Sequence, residues 1–145
     1  MISIQFPAPD FRIRLQDGYD EIFDIIRKLW VKLTPEEWVR QNFIAYLVKN
    51  CYVPSSLISI EKEILVGELK RRFDVVVYDR NGFPWMLVEC KAIDVMLTEK
   101  TIAQMLGYLS NLSCPFVFIT NGTYTYGWEI TNRGFLALEA VPDFL

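Results

Sequence analysis

Apolar and basic residues alternate over residues 11–15, FRIRL, with the period of two that a short strand requires. The ten residues before them carry Pro7 and Pro9 and read as extended and irregular. Asp17-Gly18 marks a turn. Over 20–32 the pattern is ambiguous, because Ile22, Phe23, Ile25, Ile26 and Leu29 suit either a strand or a short helix. Thr34-Pro35-Glu36-Glu37 is a helix start, with Thr34 as N-cap, Pro35 at the first helical position and acids in the first turn. Val39, Phe43, Tyr46 and Leu47 continue it as an apolar stripe. Glu36 shares the angular position of Phe43 and Leu47, whereas Glu37 lies about 100° away. The wheel therefore selects Glu36 as the acid on the core side. Asn50 to Pro54 ends the helix.

Residues 57–65, LISIEKEIL, read as a strand closed by a turn at Gly67. The runs 73–78, FDVVVY, and 85–93, WMLVECKAI, are separated by DRNGFP. Asn81-Gly82 between apolar runs predicts a hairpin with a two-residue type I′ turn. Thr98 caps a helix predicted over 99–111, with Ile102, Met105, Leu106 and Leu109 as its buried stripe. Residues 115–120, PFVFIT, form a further strand, closed by Asn121-Gly122. Residues 124–130 form another, and the tail 135–145 suits a short helix or an extended edge. A helix, strands, a helix and more strands predict a mixed α/β class, with one central sheet and a single domain over 1–145.

Composition narrows the chemistry. An apolar fraction of 52% and a charged fraction of 23% describe a folded globular chain. No apolar run approaches the roughly 18 residues of a membrane span, and MISIQFPAPDF lacks the basic start of a signal peptide. Three scattered cysteines, Cys51, Cys90 and Cys114, suggest neither a disulfide framework nor a zinc site, so a reducing cytoplasm is the expected setting. The chain has no histidine. That excludes Ser-His-Asp and Cys-His nucleophile schemes and every His-containing zinc site. A metal here would be bound by oxygens, as Mg²⁺ or Mn²⁺ are. A net charge of −3 argues against a uniformly basic surface, while Lys70, Arg71 and Arg72 form a local basic cluster.

The charges inside the sixth apolar run are the point of interest. With a turn at Asn81-Gly82, Arg80 faces Phe83, Tyr78 faces Trp85 and Asp74 faces Glu89, on one face of the sheet. Lys91 lies on the Glu89 face one step on. Two opposed carboxylates are destabilising unless something neutralises them, and a shared divalent cation would do so. Such an ion would lower the pKa of a bound water and polarise a phosphoryl oxygen, with Lys91 orienting the water or stabilising the developing charge. Glu36 could complete the shell. The bland counterpart is a surface Glu-x-Lys ion pair worth little.

Asp74-x14-Glu89-Cys90-Lys91 resembles the signature of the PD-(D/E)XK nuclease superfamily. Gln104-x3-Tyr108 is similar to the QxxxY element of several of its branches. With TPEEWVRQNF, RRFDVVVYDRNGFPWMLVECKA and FITNG, the string over about residues 20–122 resembles the N-terminal domain family of type I restriction enzyme R proteins. Phe73 stands where the literal motif has proline, a position that ligates nothing. The resemblance implies a restriction-endonuclease-like three-layer α/β/α fold and a Mg²⁺-dependent endonuclease acting on DNA, with Mn²⁺ as substitute. It implies Asp74, Glu89 and Glu36 as metal ligands and Lys91 as the catalytic lysine. Gln104 and Tyr108 would lie near the nucleic-acid backbone, with Lys70, Arg71 and Arg72 as the basic contact. Gln104 and Tyr108 also suit the polar edge of a core helix, Asn121 could bind the backbone but better suits a turn, and Arg40 and Gln41 match the family string while an ordinary helix surface explains them equally well. A restriction R subunit carries a translocase motor, for which 145 residues leave no room. A homodimer, a partner subunit or an inactive nuclease-like binding module are therefore open alternatives.

Overall fold

The computed structural model describes residues 1–144. Leu145, the end of the predicted tail element, lies outside them. Three strands, β1 (Ile13–Gln16), β2 (Tyr19–Asp24) and β3 (Leu29–Lys32), form an antiparallel sheet ahead of the first helix. It is a small second sheet beside the one central sheet that the pattern predicts. The ambiguous 20–32 segment resolves into two strands because Asp24 breaks it. Its buried carboxylate accepts the N–H groups of Ile26 (2.8 Å) and Arg27 (3.0 Å), holding a turn in which Lys28 is left-handed at φ 57°.

Helix α1 (Pro35–Asn50) starts as predicted, with the Thr34 hydroxyl accepting the Glu37 N–H at 3.0 Å. It leads to the central sheet: β4 (Ile58–Val66), β5 (Leu69–Tyr78), β6 (Pro84–Cys90), β7 (Phe116–Thr120), β8 (Thr125–Thr131) and β9 (Gly134–Ala137), hydrogen-bonded in that order. Only β6 and β7 pair in parallel, joined by a crossover through α2 (Glu99–Leu109); the other neighbours are antiparallel. Val39, Phe43, Ile44 and Leu47 of α1 pack on Val75, Val77, Met86, Val88 and Phe118 on one face. Leu109 of α2, with half-buried Met105 and Leu106, covers Val76, Leu87 and Val117 on the other. The result is the expected α/β/α arrangement with a mixed central sheet. Each fully buried aliphatic side chain contributes about 1.5–3 kcal/mol, so both helices are held chiefly by these faces. The β7–β8 contact is close: a Cβ on Gly127 would stand 2.1 Å from the Phe118 ring.

The β5–β6 hairpin reaches the predicted register by a different route. The Asp79 carbonyl accepts the Gly82 N–H (3.1 Å), and the Asp79 N–H donates to the Phe83 carbonyl (2.8 Å). The Asp79 carboxylate accepts the N–H groups of Asn81 (2.8 Å) and Phe83 (3.0 Å), and Gly82 is left-handed at φ 84°. The loop is thus three residues, 80–82, instead of two. Tyr78 pairs with Pro84, not Trp85, and a bulge at Trp85 then restores Val77↔Met86, Val76↔Leu87 and Val75↔Val88.

Candidate functional site

Neighbouring strands flip faces near Asp74, and the flip opens the site. Strand period two should keep Phe73 and Val75 on one side. Instead Phe73 joins the core under α2 and Val75 the core under α1. On β4, Ile58 and Ile60 pack on the α1 side while Ile64 and Val66 pack on the α2 side. The change falls at Glu61, left-handed at φ 53°, between the paired residues Ile60↔Val75 and Lys62↔Phe73. Glu61 and Asp74 are therefore the two residues at which the hairpin turns over.

Beyond Val75↔Val88 the pairing between β5 and β6 stops. Asp74 does not sit in a regular pair with Glu89; its Oδ2 accepts the Cys90 N–H at 2.7 Å. That bond lowers the Asp74 pKa, as do Arg40 and Lys91, but burial outweighs them and leaves it raised. Glu89 is pushed up from 4.5 to about 7, first by burial and then by the Asp74 charge, with Lys91 pulling it down. Lys91 follows the end of β6, and its N–H donates to the Thr120 carbonyl at 2.8 Å, which keeps it against β7.

The two helix acids separate. Glu37 is the buried one, at 5% exposure, whereas Glu36 is exposed. Glu36 does share the Phe43 angle, but in the first turn that angle projects past the end of the core. Its pKa is raised by burial and by Asp74, and lowered by Arg40 and Lys91, so it faces the carboxylate site. Glu37 turns to cations: its pKa is lowered by hydrogen bonds from Arg40 and Gln41 and by the charges of Arg40 and Arg27, which together outweigh a larger burial effect. Arg40 donates through Nε (2.9 Å) and Nη2 (2.7 Å), Arg27 through Nη2 (2.8 Å) and Gln41 through Nε2 (3.1 Å). Arg27 also pairs with buried Asp24. Arg40 and Gln41 are thus buried members of an ion network, not helix surface. Glu61 is the residue that sequence reasoning passed over, and the pairing of Arg40 with Glu37 is the contact that it did not foresee. The available signal was Arg40, three and four residues before apolar Phe43 and Ile44, on the face that packs.

An open cleft of about 560 Å³ lies on the α2 side, lined among others by Arg71, Arg72, Glu89, Lys91, Gln104 and Tyr108, with Lys70 at its margin. The Arg71 guanidinium sits 3.5 Å from the centroid of the Tyr108 ring. Gln104 and Tyr108 are both exposed in this cleft. Asn121 is buried and holds a turn: its Oδ1 accepts the Thr123 and Tyr124 N–H groups and its Nδ2 donates to the Val95 carbonyl.

The donors fit a hard cation, since Asp74, Glu89 and Glu36 offer carboxylate oxygens while the Cys90 thiol is buried in the α1-side core. Among the described residues no three Asp, Glu, Cys or His side chains form a ready metal cage. One or two carboxylates with waters suffice for Mg²⁺, so Asp74 and Glu89 are the residues that could hold one directly, with Glu36 as an outer acid. No helix among the described residues is long and apolar enough to cross a membrane. A family model described as type I restriction enzyme R protein N terminus matches residues 35–142, from the start of α1 past β9. No curated protein matches the chain.

Proposed function

This chain belongs to the family of the type I restriction enzyme R protein N terminus, and from that membership and its cleft we propose that it is a Mg²⁺-dependent phosphodiesterase that cuts DNA. The observation that carries the reading is convergence. Residues from three elements, Lys70, Arg71 and Arg72 of β5, Glu89 and Lys91 at the end of β6, and Gln104 and Tyr108 of α2, line one open cleft. Asp74 and Glu89 would hold the ion, Mn²⁺ in place of Mg²⁺ included, with Glu36 as the outer acid behind them. A bound divalent cation supplies a Lewis acid and a water of lowered pKa. Lys91 places its ammonium beside the reacting phosphate, where it steadies the attacking water or the charge that develops. Lys70, Arg71 and Arg72 bind the flanking phosphates, and Tyr108 fixes the Arg71 fork by stacking beneath it. Gln104 donates to the same backbone.

Burial, and then the Asp74 charge, push the Glu89 carboxyl up to about 7, so a divalent cation would bind there more tightly as pH rises through that value. The net charge of −3 gives modest unaided DNA affinity, which favours delivery by a second copy or a partner subunit. Three buried, unpaired thiols suit a reducing cytoplasm. One observation favours a second reading, a nuclease-like module that binds without cutting: the carboxylates are not assembled as a cage. Cleavage assays on supercoiled, linear and single-stranded DNA with Mg²⁺ or Mn²⁺ separate the two. The nuclease reading expects cutting that Glu89→Ala and Lys91→Ala abolish. Equal activity in both variants and wild type would overturn it.

A further inference from the structure

We propose that the site takes a single divalent cation, on the Glu89 side of Asp74, because the guanidinium of Arg40 permanently occupies the Glu61 side. The inference rests on the metal-dependent reading above and adds a residue and a stoichiometry to it. Three adjacent strands carry the acids: Glu61 on β4 and Asp74 on β5 lie between the pairs Ile60↔Val75 and Lys62↔Phe73, and Glu89 on β6 follows directly on Val75↔Val88. A row of three acids has two gaps, and two-metal phosphodiesterases use two neighbouring ions. Here the gaps are not equivalent.

Arg40 stands at the first gap. Its Nη2 lies 3.5 Å from Glu61 Oε1 and its Nη1 lies 3.5 Å from Asp74 Oδ1. Nη1 is buried and has no hydrogen-bond partner, although it points at a carboxylate. It cannot swing toward Asp74, because Nε and Nη2 are clamped by Glu37. Glu37 is in turn fixed by Gln41 and by Arg27, itself paired to Asp24. Mg²⁺ sits about 2.1 Å from its oxygens, so an ion shared by Glu61 and Asp74 would lie against this guanidinium. Repulsion and lack of space both exclude it. On the other side, among the described residues no salt bridge engages Glu89, and the one to Asp74 is that of Arg40, so no fixed guanidinium fills the gap between Asp74 and Glu89. Arg40 is thus a positioning residue. It holds Glu61 and Asp74 in place and leaves one gap for a metal.

Calorimetric and electron-spin-resonance titration with Mn²⁺ alone tests this on the intact chain. Wild type should bind one ion. Glu89→Gln should lose it, while Glu61→Gln should keep it within about threefold of wild-type affinity. Removing Arg40 alone strands Glu37, so the double variant Glu37→Gln/Arg40→Met is measured beside Arg40→Met, with melting curves as a folding check. The double variant should bind a second ion, or bind the first about tenfold more tightly. Arg40→Lys, which keeps the charge, should stay at one. Two ions on wild type, or a Glu61→Gln variant as deficient as Glu89→Gln, would overturn the inference and leave the metal-dependent reading standing. No Mn²⁺ binding to wild type would remove both.

Discussion

Two groups of charged residues meet at Asp74, and they are built in opposite ways. Under α1, Asp24, Glu37 and Arg40 are buried and Arg27 is half-buried, and their side chains pair with one another. Under α2, Arg71, Arg72, Lys91 and Gln104 line an open cleft, and among the described residues no salt bridge engages the three cations. The first group fixes a shape. The second is left for a ligand. Desolvation cost makes the difference: a buried charge must find its partner within the fold, whereas an exposed one can wait for a phosphate.

Variants should divide along that line. Arg40→Met, which leaves Glu37 buried with only part of its donors, should cost about 3–5 kcal/mol in chemical denaturation. On the open side, Lys91→Ala should leave the melting temperature nearly unchanged and reduce DNA cleavage by about 10²–10³-fold in single-turnover assays. Glu89 lies between the two groups and gives a pH signature. Its folded pKa, about 7, exceeds the ordinary 4.5. The folded state therefore keeps a proton that the unfolded state has released, and metal-free stability should fall as pH rises from about 4.5 to about 7. Glu89→Gln should flatten that fall and gain on the order of 2 kcal/mol above pH 7. Stabilisation by Mn²⁺ should show the reverse trend, growing through pH 7 in wild type and absent from Glu89→Gln. The smallest effect belongs to the cleft rim. Arg71→Ala or Arg72→Ala should each weaken DNA binding severalfold and reduce the salt slope by about one, read by fluorescence anisotropy at several salt concentrations.

Much of this arrangement could be read from the residues. Thr34 and Thr98 cap their helices because side-chain oxygens near free N–H groups act locally. The placement of Asp74 near Glu89 was also legible, by two offsetting errors. The hairpin loop has one residue more than Asn-Gly suggests, and the bulge at Trp85 cancels the shift. What escaped detection was tertiary. Glu61 adopts a left-handed backbone that glycine, not glutamate, would advertise, so nothing in ISIEKEIL flags the change of face. The burial of Glu37 and Arg40 depends on Arg27, supplied by a turn whose strands could not be told from a helix. A helical wheel gives Glu36 its direction but not its exposure, nor the burial of Glu37, because angle says nothing of where the core ends.

The most direct measurement is a crystal structure of the chain soaked in Mn²⁺, with the anomalous signal used to place the ion. One peak within coordination distance of both Asp74 and Glu89, with Arg40 still clamped to Glu37, is the predicted result. A fully soaked crystal with no peak there, or with Asp74 and Glu89 turned to separate partners, would contradict the account.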